Sequence, residues 1–153
     1  MTASLAARSA SREARVGVIG LGYVGLPLAV ALAERGVAVT GIDVDAERVR
    51  RINAGHSPIV DVTDAQLAPL VADGRLACAA TYDGVSACDA LFVCVPTPFD
   101  RHKTPDLTYV HAAADGIAAH LRAGQLIILQ STTYPGTTEE AIRPRLEAGG
   151  LVA

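Results

Sequence analysis

The stretch Arg15-Val-Gly-Val-Ile-Gly-Leu-Gly-Tyr-Val-Gly-Leu-Pro-Leu-Ala-Val-Ala-Leu32 decides how the rest of the chain is read. Val16, Val18 and Ile19 make a short β-branched run that predicts a strand covered on both faces. Leu26, Leu28, Val30, Ala31 and Leu32 continue as an apolar helix, and Gly20, Gly22 and Gly25 stand between the two in the spacing G-x-G-x-x-G. Pro27 suits the first turn of that helix, where a missing N–H removes no hydrogen bond.

A strand, a glycine turn and a helix in immediate succession form a place where a diphosphate can rest. Gly20 permits the sharp turn, Gly22 leaves room for the anion to approach the backbone, and Gly25 lets helix and strand pack closely. The helix N-terminus adds free N–H groups and a favourable dipole. Gly36 ends the helix, and Val37-Ala-Val-Thr-Gly-Ile-Asp43 reads as a second parallel strand with an acid at its tip. An acid about 20 residues beyond the glycines is placed to accept hydrogen bonds from an adenosine ribose. Asp43 therefore predicts a dinucleotide site, and its carboxylate, which repels a 2′-phosphate, favours NAD over NADP. Arg48 is the residue that could weaken that preference or cover the adenine face.

Composition narrows the classes. At 153 residues the chain has room for one domain with a sizeable core and not for two ordinary ones. A formal net charge of −3 gives no reason to expect a nucleic-acid partner. Cys78, Cys88 and Cys94 lie in or beside apolar segments without C-x-x-C spacing, as reduced thiols in a cytoplasmic protein would. His56 and His102 fall in predicted loops, no histidine pairs with a cysteine in a ligand pattern, and no metal site is expected. The apolar helices are short and interrupted by Glu, Arg or Gly, so no membrane span is expected. Met1 to Ala14 carry Arg8 and Arg12 among Ala and Ser without an apolar core region, and read as a disordered leader.

Beyond Asp43, residues 45–55 predict a helix with Val49 and Ile52 inward, and residues 55–62 a loop. Thr63-Asp-Ala-Gln66 has the form of a capping box ahead of Leu67, Leu70 and Val71. Residues 75–81 predict a third strand, and Ala90-Leu-Phe-Val-Cys-Val95 a fourth, unbroken in its apolarity and stopped by Pro96. The polar, turn-rich run from Thr97 to Leu107 is long for a connector, a feature of functional loops. Residues 108–121 predict a helix in which Gly116 either weakens the element or permits close packing on the sheet. Gln125 to Gln130 reads as a fifth strand, and Ser131 to Thr138 leads into a last helix that Pro144 should bend or shorten.

Strands alternating with helices over such intervals imply a doubly wound, Rossmann-type parallel sheet, here with five strands in the order 3-2-1-4-5. Ligands lie outside the carboxyl ends of such strands, at the switch point between strands one and four. Three polar loops converge there: residues 20–25, 96–106 and 131–136.

With those loops in place the chain resembles the N-terminal NAD-binding domain of the UDP-glucose/GDP-mannose dehydrogenase family. The motifs that carry the resemblance are Gly20-Leu-Gly-Tyr-Val-Gly-Leu-Pro-Leu-Ala29, Gly41-Ile-Asp43, Cys94-Val-Pro-Thr-Pro98, Pro105-Asp-Leu107 and Ser131-Thr-Thr-Tyr-Pro-Gly-Thr-Thr138. The last three are most similar to the branch acting on UDP-N-acetylhexosamines. The resemblance implies oxidation of the C6 hydroxymethyl of a nucleotide sugar to a carboxylate, with two NAD consumed, in an enzyme that is a homodimer at full length. It implies that Gly20, Gly22, Tyr23, Val24 and Gly25 line the diphosphate, that Asp43 takes the ribose hydroxyls, and that Arg48 lies near the adenosine. Thr97 would approach the cofactor, and Thr132 would stand near the reacting carbon and help position water.

The family's catalytic cysteine, lysine and asparagine belong to later segments, so Cys78, Cys88 and Cys94 are not candidates for its nucleophile. Residues 15–153 are expected to be the cofactor domain alone, inactive by itself, with the sixth strand of the order 3-2-1-4-5-6 lacking and Leu126 to Leu129 left as an edge. Two other readings fit the glycine turn: the cofactor domain of a β-hydroxyacid dehydrogenase, and a non-catalytic dinucleotide-binding module.

Overall fold

Five parallel strands, β1 (Arg15–Ile19), β2 (Ala38–Ile42), β3 (Leu76–Ala79), β4 (Ala90–Val93) and β5 (Leu126–Leu129), form one sheet in the order β3-β2-β1-β4-β5. They come from a computed structural model that describes residues 5–11, 13–98 and 105–152. The expected α/β class and strand order are both found. Strand β1 occupies the centre because its apolar residues are covered on both sides: Val16 and Val18 point to one face and Ile19 to the other, as a period of two requires.

Helices α2 (Gly25–Glu34), α3 (Ala46–Asn53) and α4 (Asp64–Ala72) send Leu26, Ile52 and Leu67 into the cluster that covers Val16 and Val18. Helix α5 (Thr108–Ala118) places Ala113 and Ile117 against Ile19, Leu91 and Val93 on the opposite face. Leu26, Leu67 and Ile117 are inaccessible to solvent, and each contributes about 1.5–3 kcal/mol by burial. The capping box forms as expected: Thr63 Oγ1 accepts from Gln66 N–H at 3.3 Å while Gln66 Oε1 accepts from Thr63 N–H at 3.1 Å.

The structure departs from the expected elements or adds detail to them in several places. Within residues 1–14, read as a leader without structure, Leu5–Ala10 forms a helix, α1. Its Arg8 reaches Asp89 at 2.6 Å and the Glu13 carbonyl at 3.1 Å, a pair of anchors the local composition does not announce. Strand β3 covers only four of the seven residues expected, since alanines give it little side-chain surface to pack. Gly116 makes room for the Tyr82 ring, which a Cβ there would meet at 2.6 Å. Near Pro144 the chain widens into a π turn, Thr138–Ile142, before α6 (Arg143–Glu147). Proline has no N–H for an i→i−4 bond and its ring crowds the carbonyl four residues earlier, which the wider turn relieves. Residues 99–104 of the long loop, with His102, lie outside the described residues.

The two edges of the sheet differ. On β3 the Asn53 carboxamide donates to the Cys78 carbonyl at 2.8 Å and accepts from its N–H at 3.0 Å, imitating a neighbouring strand. On β5, Leu126 and Gln130 donate inward to Asp89 and Val93, so Ile127 and Leu129 present their backbone groups outward. No side chain among the described residues bonds to them.

Candidate functional site

At the carboxyl ends of β1, β2, β4 and β5 the sheet opens into a cavity of about 720 Å³. All three loops expected to converge there contribute to its wall: Gly20, Gly22, Tyr23 and Val24 from the first, Thr97 from the second, Thr132 from the third. Asp43 and Arg48 complete the set read from the sequence. Gly25 lies beneath, buried, where a Cβ would fall on the Gly20 carbonyl oxygen. Its work is therefore packing.

The turn is built by backbone contacts. Gly20 has φ +89°, and a Cβ there would meet the Cys94 carbonyl at 2.7 Å, so β1 and β4 leave the sheet side by side only if this residue is glycine. A Cβ at Gly22 would meet no protein atom within 4 Å. Packing does not require glycine at 22; the space in front of it is open cavity.

Helix α2 begins without a side-chain cap, on Val24. Among the described residues, the N–H groups of Gly22, Tyr23 and Val24 donate to no protein acceptor. Helix starts normally satisfy such donors with a capping side chain. Here no side chain does so, and Tyr23 (71 % exposed) and Val24 (56 % exposed) leave the turn open to solvent.

Asp43 faces this turn from the tip of β2. Its side chain is buried, with Oδ2 accepting from Leu21 N–H at 2.7 Å and from Arg48 Nη1 at 2.9 Å, and Oδ1 accepting from Asp45 N–H at 2.9 Å. Asp45 in turn caps α3, accepting from the N–H groups of Glu47 and Arg48 at 3.1 Å each. The cap orients the first turn of α3, and so brings Arg48 to Asp43.

On the other side, Thr97 Oγ1 donates to the Thr132 carbonyl at 2.6 Å, tying the loops after β4 and β5 together. Ser131 Oγ reinforces the tie by donating to the Val95 carbonyl at 2.7 Å. The Thr97 proton is thus committed to the protein, whereas the Thr132 side chain makes no hydrogen bond among the described residues.

Sequence reasoning missed Tyr82, Tyr109, Pro58 and Ile59, all of which line the cavity. For Tyr82 a signal existed: it follows the carboxyl end of β3, next to the strand bearing Asp43. Burial and then the charge of Asp43 push its hydroxyl pKa upward. The three thiols are free, and burial pushes Cys78 up to about 12 and Cys94 up to about 11, so neither is a thiolate near neutral pH. Among the described residues no group of His, Cys, Asp and Glu is arranged to hold a metal ion, and no helix is long and apolar enough to cross a membrane.

The sequence model of the UDP-glucose/GDP-mannose dehydrogenase family, NAD binding domain, matches residues 14–150. The chain belongs to that family. Within it, the chain is 38 % identical over 136 residues to a UDP-N-acetyl-D-glucosamine 6-dehydrogenase of Pseudomonas aeruginosa, covering 89 % of this chain and 31 % of that protein. It is 43 % identical over 127 residues to a UDP-N-acetyl-D-mannosamine dehydrogenase of Escherichia coli K12, covering 83 % of this chain and 30 % of the relative. A crystal structure of a ternary complex of GDP-mannose dehydrogenase from Pseudomonas aeruginosa superposes with a TM-score of 0.86 at 33 % identity, over 90 % of this chain and 33 % of that one. The chain spans about a third of the length of the curated relatives it matches. It is an NAD-binding domain of nucleotide-sugar dehydrogenases, and the family match sets aside the β-hydroxyacid dehydrogenase reading.

Proposed function

We propose that this chain supplies the cofactor half of an enzyme that oxidises the C6 hydroxymethyl of a UDP-sugar to a carboxylate, using two NAD. The observation that carries the reading is the row of backbone N–H groups at Gly22, Tyr23 and Val24, left without protein acceptors beside the Asp43 carboxylate. In this reading those groups and Gly20 hold the diphosphate, Gly25 supports them from below, and Asp43 accepts from the adenosine ribose hydroxyls. Arg48 stands at the adenosine. NAD, when bound, accepts the hydride.

Thr132 is the side chain of this chain that we place at the reacting carbon, where its free hydroxyl would orient water in the second oxidation. Thr97 positions it by fixing the Thr132 carbonyl. The nucleophile and the sugar-binding groups would come from segments outside residues 15–153, which we take as one cofactor domain of a homodimeric, cytoplasmic enzyme. This chain alone should therefore turn nothing over.

Calorimetric titration with NAD, followed by UDP-N-acetylhexosamines and assay for NADH, tests this. Expected are NAD binding and no NADH from the sugar. Absence of NAD binding would refute the cofactor assignment, and NADH production would refute the division of labour.

A further inference from the structure

We propose that Arg48 sets how strictly the site rejects a dinucleotide phosphorylated on the adenosine 2′-oxygen, keeping such cofactors within reach of a pocket that Asp43 would otherwise close to them. The inference rests on the NAD reading given above.

Asp43 has little acceptor capacity to spare. A carboxylate offers about four lone-pair positions, and three are taken by Leu21 N–H, Arg48 Nη1 and Asp45 N–H. A ribose diol that engages both oxygens must displace a donor from Oδ2. Leu21 N–H is fixed by the glycine turn, so the group that yields is Arg48, whose side chain is 35 % exposed against 6 % for Asp43.

The same guanidinium is poorly occupied otherwise. It has five N–H donors, one of which goes to Asp43, and its Nη2 stands 3.9 Å from Asp45 Oδ2, beyond hydrogen-bond distance. Among the described residues lining the cavity it is the only Lys or Arg. A 2′-phosphate arriving here meets two carboxylates, Asp43 and Asp45, and a single cation able to grip it in bidentate fashion. Arg48 therefore competes with the diol of NAD for Asp43 and supports the phosphate of NADP. Its signature is a change in the ratio of the two affinities, which a side chain that merely walls the adenosine would leave untouched.

The test is titration of the wild-type chain and R48Q with NADH and NADPH by calorimetry. The expected result is at least a tenfold fall in the NADPH-to-NADH affinity ratio in R48Q. Equal weakening of both cofactors, or an unchanged or raised ratio, overturns the inference. In D43S the preference should reverse toward NADPH, and R48Q added to D43S should abolish the reversal. Asp43 also satisfies two backbone N–H groups, so melting curves accompany D43S; should it not fold, R48Q decides alone, because Arg48 is a half-exposed residue of α3. A wild type that binds neither dinucleotide sinks the proposed function itself, whereas one that binds NADH and shows no NADPH binding at millimolar concentration sinks only the role given to Arg48.

Discussion

A methyl group added at Gly25 would land on the Gly20 carbonyl oxygen, whereas one added at Gly22 meets no protein atom within 4 Å. Gly25→Ala must force β1 and α2 apart, and is expected to cost about 3 kcal/mol or more, read as a lower melting temperature. Gly22→Ala is expected to melt within a few degrees of wild type and to bind NAD at least tenfold more weakly, by calorimetry. Equal behaviour of the two variants would contradict the separation of packing from ligand space. The spacing of the glycines and the acid at 43 were legible because each answers to a backbone constraint. The ion pair between Asp43 and Arg48 was not, since it depends on how the Asp45 cap aims the first turn of α3. Tyr82 carried a positional signal, since it follows β3, but the glycine at 116 that admits its ring became apparent only in the fold.

Elements whose apolar residues run unbroken, such as β4 and β5, were fixed by pattern alone, and the helix after Thr63 by its capping box. Thr63→Ala removes the acceptor for Gln66 N–H and should lower stability by about 1 kcal/mol, with no change in NAD affinity, because α4 does not line the cavity. The elements that escaped notice are those held by partners distant in sequence. Helix α1 is one: Arg8 meets an aspartate 81 positions away. That aspartate, Asp89, is buried at the opposite end of the sheet from the cofactor cavity, and accepts from Arg15 N–H at 2.9 Å and Arg122 Nη2 at 3.0 Å as well. Burial opposes its ionisation, but the hydrogen bonds from Arg15 N–H and Arg122 and the charges of Arg8 and Arg122 outweigh it, and its pKa is lowered. A carboxyl lowered on folding adds stability above its unfolded value, about 3.9, and gives it up as pH falls through the folded value. Melting temperature should therefore drop below about pH 4. Asp89→Asn should reduce that drop while lowering stability at pH 7 and sparing NAD binding; an unchanged acid profile would show that other carboxylates govern it.

For the molecule as a whole, ligand and fold are linked. A ligand that binds the folded chain and not the unfolded one stabilises by RT ln(1 + [L]/Kd), about 2.7 kcal/mol at a hundredfold excess over Kd. Melting temperature should accordingly rise with the logarithm of NAD concentration above Kd. Adenosine should give a smaller rise at the same concentration, because it leaves the N–H groups at 22–24 unsatisfied.

The amide of Asn53 has a consequence for self-association. With Cys78 engaged in the middle of β3, the longest open edge among the described residues is that of Ile127 and Leu129, so copies that meet strand to strand are expected to exhaust their valence at two. Concentrated solutions should plateau at a pair in sedimentation, and Asn53→Ala should release that limit and let fibre-like chains of copies grow. The resistance of the wild type to such growth would then trace to one side-chain carboxamide.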